Sequence, residues 1–155
     1  MSVYITYKLT GSGWAECLLA IDDQTIITTA SYLSHALESL LQGIVDIMRG
    51  QAEARASFDE EPGEYRWLFL RKDEQTLNIR ILWFDGLWGH KPDNKGHIIF
   101  DGDCRLRTFA EAVLSASQKV LAEHGLEGYK DQWHRDEFPE TLQAELERLL
   151  REGRR

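Results

Sequence analysis

Large apolar residues fall at every second position twice in the middle of the chain, in Tyr65, Trp67 and Phe69 and again in Leu77, Ile79, Ile81 and Trp83. A repeat of two is the signature of a strand, because successive side chains leave opposite faces. The polar interval 71–76 between the two runs predicts a hairpin loop. The same alternation predicts strands over 3–9, 14–21, 25–29 and 54–58, and a shorter one over 97–100. Elsewhere the period lengthens. Leu33, Leu37, Leu40, Leu41, Ile44 and Met48 are spaced for one helical stripe, which predicts a helix over 31–49 capped by Ser31 or Ser34 and ended by Gly50. Phe109, Ala112, Val113, Ala116, Val120 and Leu121 predict a second over 108–124, opened by the capping-box spacing of Thr108 and Glu111. Tyr129 and Trp133 suggest a short turn laid on the body. Phe138-Pro139 starts a last helix carrying Leu142, Leu146, Leu149 and Leu150.

These elements predict an α+β fold: one antiparallel, meandering sheet of about six strands centred on the hairpin, with two helices packed on one face and a C-terminal helix at its edge. The aromatic face of the hairpin belongs inside. Its other face mixes Arg66 and Arg80 with Leu68, Leu70, Leu82 and Phe84, which suits a sheet surface partly covered by a loop or a face that meets a partner.

The 155 residues fit a single domain, 1–155. A net charge of −8 disfavours nucleic acid and anionic membranes, which are bound through clustered Lys and Arg, and suits a basic protein partner. No apolar run approaches the roughly 20 residues that span a bilayer. The N-terminal stretch alternates as a strand and lacks the pattern of a signal peptide, so a cytoplasmic protein is expected. Cys17 and Cys104 fit neither a disulfide framework nor a zinc spacing and are expected as buried thiols.

Two stretches carry candidate chemistry. In 59–64, Asp59, Glu60, Glu61 and Glu64 surround Pro62-Gly63, the densest negative cluster in the chain. Such a turn is either simply solvated or a docking point that steers a basic protein. The region 85–104 gathers Asp85, His90, Asp93, His97, Asp101, Asp103 and Cys104, with Trp88 beside His90 in a Gly- and Pro-containing loop. A metal site or a His base oriented by an Asp is the alternative there. Against it, the aspartates sit among turn residues, and His90 and His97 lack a ligand spacing. Gly11-Ser12-Gly13 lacks the third glycine and following helix of a phosphate loop, and no nucleophile elbow, His-Glu-x-x-His or Cys-x-x-Cys occurs.

At Glu61-Pro62-Gly63-Glu64-Tyr65-Arg66-Trp67, Ser31-Tyr32-Leu33-Ser34 and Trp133 to Pro139 the chain resembles a group of short, uncharacterised, acidic cytoplasmic bacterial proteins of immunity-protein-like character. The resemblance implies a single domain and carries over no functional residue. The sequence thus points to a non-catalytic, cofactor-free and metal-free protein that binds a protein partner, in the manner of a toxin-neutralising immunity protein. Asp59, Glu60, Glu61, Glu64, Trp88 and His90 are the candidate contact residues. A small metal- or His-dependent hydrolase with its site in 85–104, and a structural protein that forms a homodimer through the Leu68, Leu70, Leu82 and Phe84 face, are the alternatives.

Overall fold

The computed structural model describes residues 2–86, 91–134 and 136–153. The fold is α+β, but the single six-stranded sheet is not what forms. Strands β1 (Val3–Gly11), β2 (Trp14–Ile21) and β3 (Gln24–Ser31) make one three-stranded antiparallel sheet. Strands β4 (Glu53–Asp59), β5 (Glu64–Arg71), β6 (Thr76–Phe84) and β7 (His97–Arg105) make a separate four-stranded one in the order of the chain. Short turns set the pairing inside each meander except between β6 and β7, which the longer segment 85–96 connects. Helix α1 (Ala36–Met48) intervenes between β3 and β4, which lie near each other without forming a ladder. Apolar period alone carries no information on whether two strands pair across an intervening helix.

The helices are also distributed differently from the expectation of two on one face. Helix α1 packs along β4 and β5, whereas α2 (Leu106–Trp133) packs against β1. Helix α3 (Glu140–Glu152) lies on α1 and α2, not at a sheet edge. Arg49, at the end of α1, and Arg148 of α3 both bind Glu145, and they hold its carboxyl down to about 2. Helix α2 breaks at Gly125 (φ 69°), and its second part carries Tyr129 and Trp133, both fully buried. The expected surface turn is therefore a core helix.

Helix starts moved as well. Helix α1 begins at Ala36, and neither Ser31 nor Ser34 caps it, because both hydroxyls are engaged with the backbone of Asp59. Helix α2 begins at Leu106 without a side-chain cap, so the Thr108 and Glu111 spacing lies inside the helix. Pro139 immediately precedes α3. Strand β7 runs on through Asp101-Gly102-Asp103, expected as a turn. There Asp101 meets Arg80 and Asp103 meets Lys72, and the amide of Asn78 donates to both carboxylates at 2.8 Å. These cross-strand contacts outweigh the local turn preference of Asp and Gly.

The inward faces share one cluster of buried apolar residues. A run of aromatic rings crosses it: Tyr7 meets Phe58 at 6.4 Å, Phe58 meets Trp67 at 5.3 Å, Trp67 meets Phe69 at 6.3 Å and Phe69 meets Phe109 at 5.8 Å. Trp67 is fully buried at its middle. Trp67→Ala should cost about 3–5 kcal/mol by leaving a cavity among packed rings. Chemical denaturation would show this as a lower midpoint with an unchanged slope.

Candidate partner-binding site

The acidic turn joins β4 to β5, where Asp59 and Glu64 face each other across the ladder. The Glu60 N–H donates to the Gly63 carbonyl at 2.7 Å and closes the turn. Gly63 is buried, and a Cβ there would lie 2.1 Å from the Trp83 ring and 2.6 Å from the carbonyl oxygen of Phe84. The turn can approach β6 so closely only because that residue has no side chain. Trp83 is fixed in turn by Tyr65, its ring neighbour at 4.7 Å, and donates its indole N–H to Asp85 at 2.8 Å.

The first sheet grips the same turn. The Ser31 hydroxyl donates to the Asp59 carbonyl at 3.0 Å, and the Asp59 N–H donates to the Ser34 hydroxyl at 2.9 Å. The Thr29 hydroxyl donates to the Glu60 carboxylate. Glu61 stands at the exposed tip of the turn, with no hydrogen-bond or ion-pair partner among the described residues.

Glu64 turns back onto the outer face of the second sheet. Its carboxylate takes two hydrogen bonds from the Arg66 guanidinium, both at 3.0 Å, and one from the Ser57 hydroxyl at 2.8 Å. Arg66 is only 8% exposed. It also donates to Asp93 and to the Lys91 carbonyl, each at 2.8 Å, and lies 4.2 Å from the centre of the Phe84 ring. Burial alone would lower its pKa, but the contacts with Glu64 and Asp93 prevail and raise it. Arg55 binds the same Asp93 through both terminal guanidinium nitrogens, at 3.0 and 3.3 Å. The segment 91–96 thereby covers one end of the face. A Cβ on Gly96 would come within 2.7 Å of Phe84 and 3.0 Å of Leu82, and both of those side chains are buried.

The uncovered remainder of this face is a shallow groove of about 520 Å³ lined by Glu53, Arg55, Leu68, Leu70, Asn78 and Arg80. The basic side chains in and beside it are paired: Arg55 with Asp93, Arg80 with Asp101 and Lys72 with Asp103. Leu68 and Leu70 remain as apolar floor, and Leu70 is 42% exposed.

Asp59, Glu60, Glu61 and Glu64 are thus brought together, and they differ in what they can offer. Glu64 is committed to Arg66 and Ser57 and Glu60 to Thr29, while Glu61 projects outward. Trp88 and His90 lie outside the described residues. The rest of 85–104 is dispersed: Asp85 with Trp83, Asp93 with two arginines, Asp101 and Asp103 with the β6 side chains, and His97 exposed at the start of β7. Among the described residues no group of three or more His, Cys, Asp or Glu is placed to hold a metal. Both cysteines are buried and free. Burial raises the pKa of each, that of Cys104 to about 12, so neither is a ready thiolate nucleophile.

No protein-family model matches the chain, and no curated protein matches it. Among solved structures the fold is shared. A chain of the CdiA-CT/CdiI toxin and immunity complex from Enterobacter cloacae aligns with a TM-score of 0.50 at 8% identity, over 75% of this chain and 99% of that chain. At that identity the likeness is one of fold. None of the described helices is long and apolar enough to cross a membrane.

Arg55, Ser57 and Asp93 join the acidic turn in space although 59–64 alone stands out in the sequence. The available signal was the alternation of Arg55, Ser57 and Asp59 with Ala54, Ala56 and Phe58, which puts the polar three on one face. Arg66→Met should cost about 3 kcal/mol, because it strands the Glu64 carboxylate in a half-buried position without its cation. Urea denaturation checks this, and the added variant Glu64→Gln should restore part of the loss. Asp103 has a lowered pKa through its bonds from Lys72 and Asn78. Its stabilising contribution is complete above the ordinary carboxylate pKa of about 4 and vanishes as pH falls through the lowered value. Asp103→Asn should therefore flatten the dependence of Tm on pH below about pH 4.

Proposed function

We propose that the chain is a non-catalytic cytoplasmic protein that binds a basic protein partner, and that it serves as an immunity protein neutralising a toxin domain. The observation that carries this reading is the fold shared with a chain of a toxin and immunity complex. Two features of the chain support it. The net charge of −8 favours rapid encounter with a basic surface, and the turn 59–64 presents carboxylates on a rigid support. The reading treats 1–155 as one folding unit, in keeping with the single buried cluster shared by both sheets and all three helices. A hydrolytic site in 85–104 gains no support from the described residues, whose aspartates there are bound to neighbouring side chains. Self-association through the second sheet has less surface than the sequence suggested, since Leu82 and Phe84 are buried.

The deciding experiment is genetic. The protein encoded beside this chain should arrest growth when expressed alone, and co-expression of this chain should restore growth. The two should co-purify at low salt, and binding should weaken as salt screens the charge. Glu60→Lys with Glu61→Lys should weaken it further. A neighbouring gene whose product is harmless, or a growth arrest that this chain fails to relieve, would overturn the reading.

A further inference from the structure

The two sheets differ in what their outer faces leave unsatisfied. On the second, Arg55, Arg66 and Arg80 are each matched by a carboxylate and one end is roofed by 91–96. The first has neither feature. Its inward rows, such as Ile5 opposite Leu19 and Tyr7 opposite Cys17, belong to the core. Strand alternation then sends Tyr4, Thr6 and Lys8 of β1, Trp14, Glu16, Leu18 and Ala20 of β2, and Thr25, Ile27 and Thr29 of β3 to the other side. The register aligns them in rows: Tyr4, Ala20 and Thr25; Thr6, Leu18 and Ile27; Lys8, Glu16 and Thr29. Tyr4 is 56% exposed, Ile27 49% and Trp14 36%, with Leu18 half-buried between them. Open aromatic and aliphatic side chains grouped on one face of a sheet are characteristic of an interaction surface.

The charge around this surface is mainly negative, with Lys8 across the ladder from Glu16 as its cation. Asp22 and Asp23 border it at the β2–β3 turn, Glu16 lies on it, and Glu60 is tied to it through Thr29, with Glu61 next in the chain. Residues 1–48 contain one lysine, Lys8, and no arginine. The occupant such a surface selects is a protein with an apolar centre and a basic rim.

We propose that the outer face of β1, β2 and β3, centred on Tyr4, Leu18 and Ile27 and bordered by Glu16, Glu60 and Glu61, is the surface on which the basic protein partner docks. This rests on the protein-binding reading above and adds to it which side of the molecule is used. The apolar centre supplies the contact that holds the complex, since binding energy concentrates in central, desolvated side chains with Trp and Tyr over-represented. The carboxylate border supplies approach and orientation.

The test uses the growth-arresting protein from the co-expression experiment as the probe. Tyr4→Ala and Ile27→Lys are compared with Leu70→Lys, an exposed position on the second sheet, and each variant is first shown by thermal melting to be folded. Tyr4→Ala should weaken binding at least about tenfold and Ile27→Lys about 100-fold, with Leu70→Lys close to wild type. Glu16→Lys should act mainly on the association rate and lose its effect at high salt. Neutralisation that survives Tyr4→Ala and Ile27→Lys but is lost in Leu70→Lys would overturn the surface while leaving the function standing. Absence of any neutralised protein would remove both. Light scattering covers the remaining occupant: a wild-type dimer that Ile27→Lys converts to a monomer would assign the face to a second copy and overturn the proposal.

Discussion

The run of rings from Tyr7 through Phe58, Trp67 and Phe69 to Phe109 is the contact on which the rest of the molecule depends. It joins the first sheet, the second sheet and α2 without using the backbone ladder. No ladder forms between β3 and β4, so the mutual position of the two sheets rests on side-chain packing around these rings together with the hydrogen bonds from Thr29 and Ser31 to the 59–64 turn. Packing of this kind is dense and tolerates little change in volume. The inward orientation of β1, β4 and β5 that it enforces also decides which residues are left facing out, because a strand that commits alternate side chains to the core has no freedom over the others.

The outer surfaces that result have opposite characters. On the second sheet Arg55, Arg66, Arg80 and Lys72 are each satisfied by a carboxylate of a neighbouring strand or of the segment 91–96. Most such exposed pairs contribute little stability singly. Arg66 differs because it is buried and its donors are distributed over Glu64, Asp93 and a backbone carbonyl. The first sheet sets Lys8 against Glu16 but carries more carboxylates than cations, so its net negative charge acts outward. An acidic chain can thus present one nearly neutral face and one that remains negative.

The sequence disclosed these elements unevenly. The central hairpin was readable because Trp67, Phe69, Leu77, Ile79 and Ile81 alternate without exception and all five are buried. The division into two sheets was not, since α1 separates β3 from β4 and strand periodicity is silent on long-range pairing. Strand β7 looked shorter than it is because Asp101-Gly102-Asp103 has turn composition, whereas its pairing is decided by Asn78 and Arg80 on β6 and Lys72 in the turn before it. Tyr129 and Trp133 appeared superficial because Gly125 interrupts the stripe before them, yet both end in the core. For the site, the acidic composition of 59–64 was evident from the chain alone. That Glu64 would turn inward to Arg66 while Glu61 projected outward depended on cross-strand neighbours that no local pattern encodes.

The hold of Ser31 and Ser34 on the backbone of Asp59 has a consequence for recognition. By covalent connection the 59–64 loop is a tip of the second sheet, but by hydrogen bonding it is fastened to the first. The negative loop and the open side of β1–β3 therefore form one preformed relief, already ordered before any encounter. A binder meeting it forfeits little chain freedom in shaping that epitope, so the entropic penalty of complex formation falls mainly on the incoming molecule.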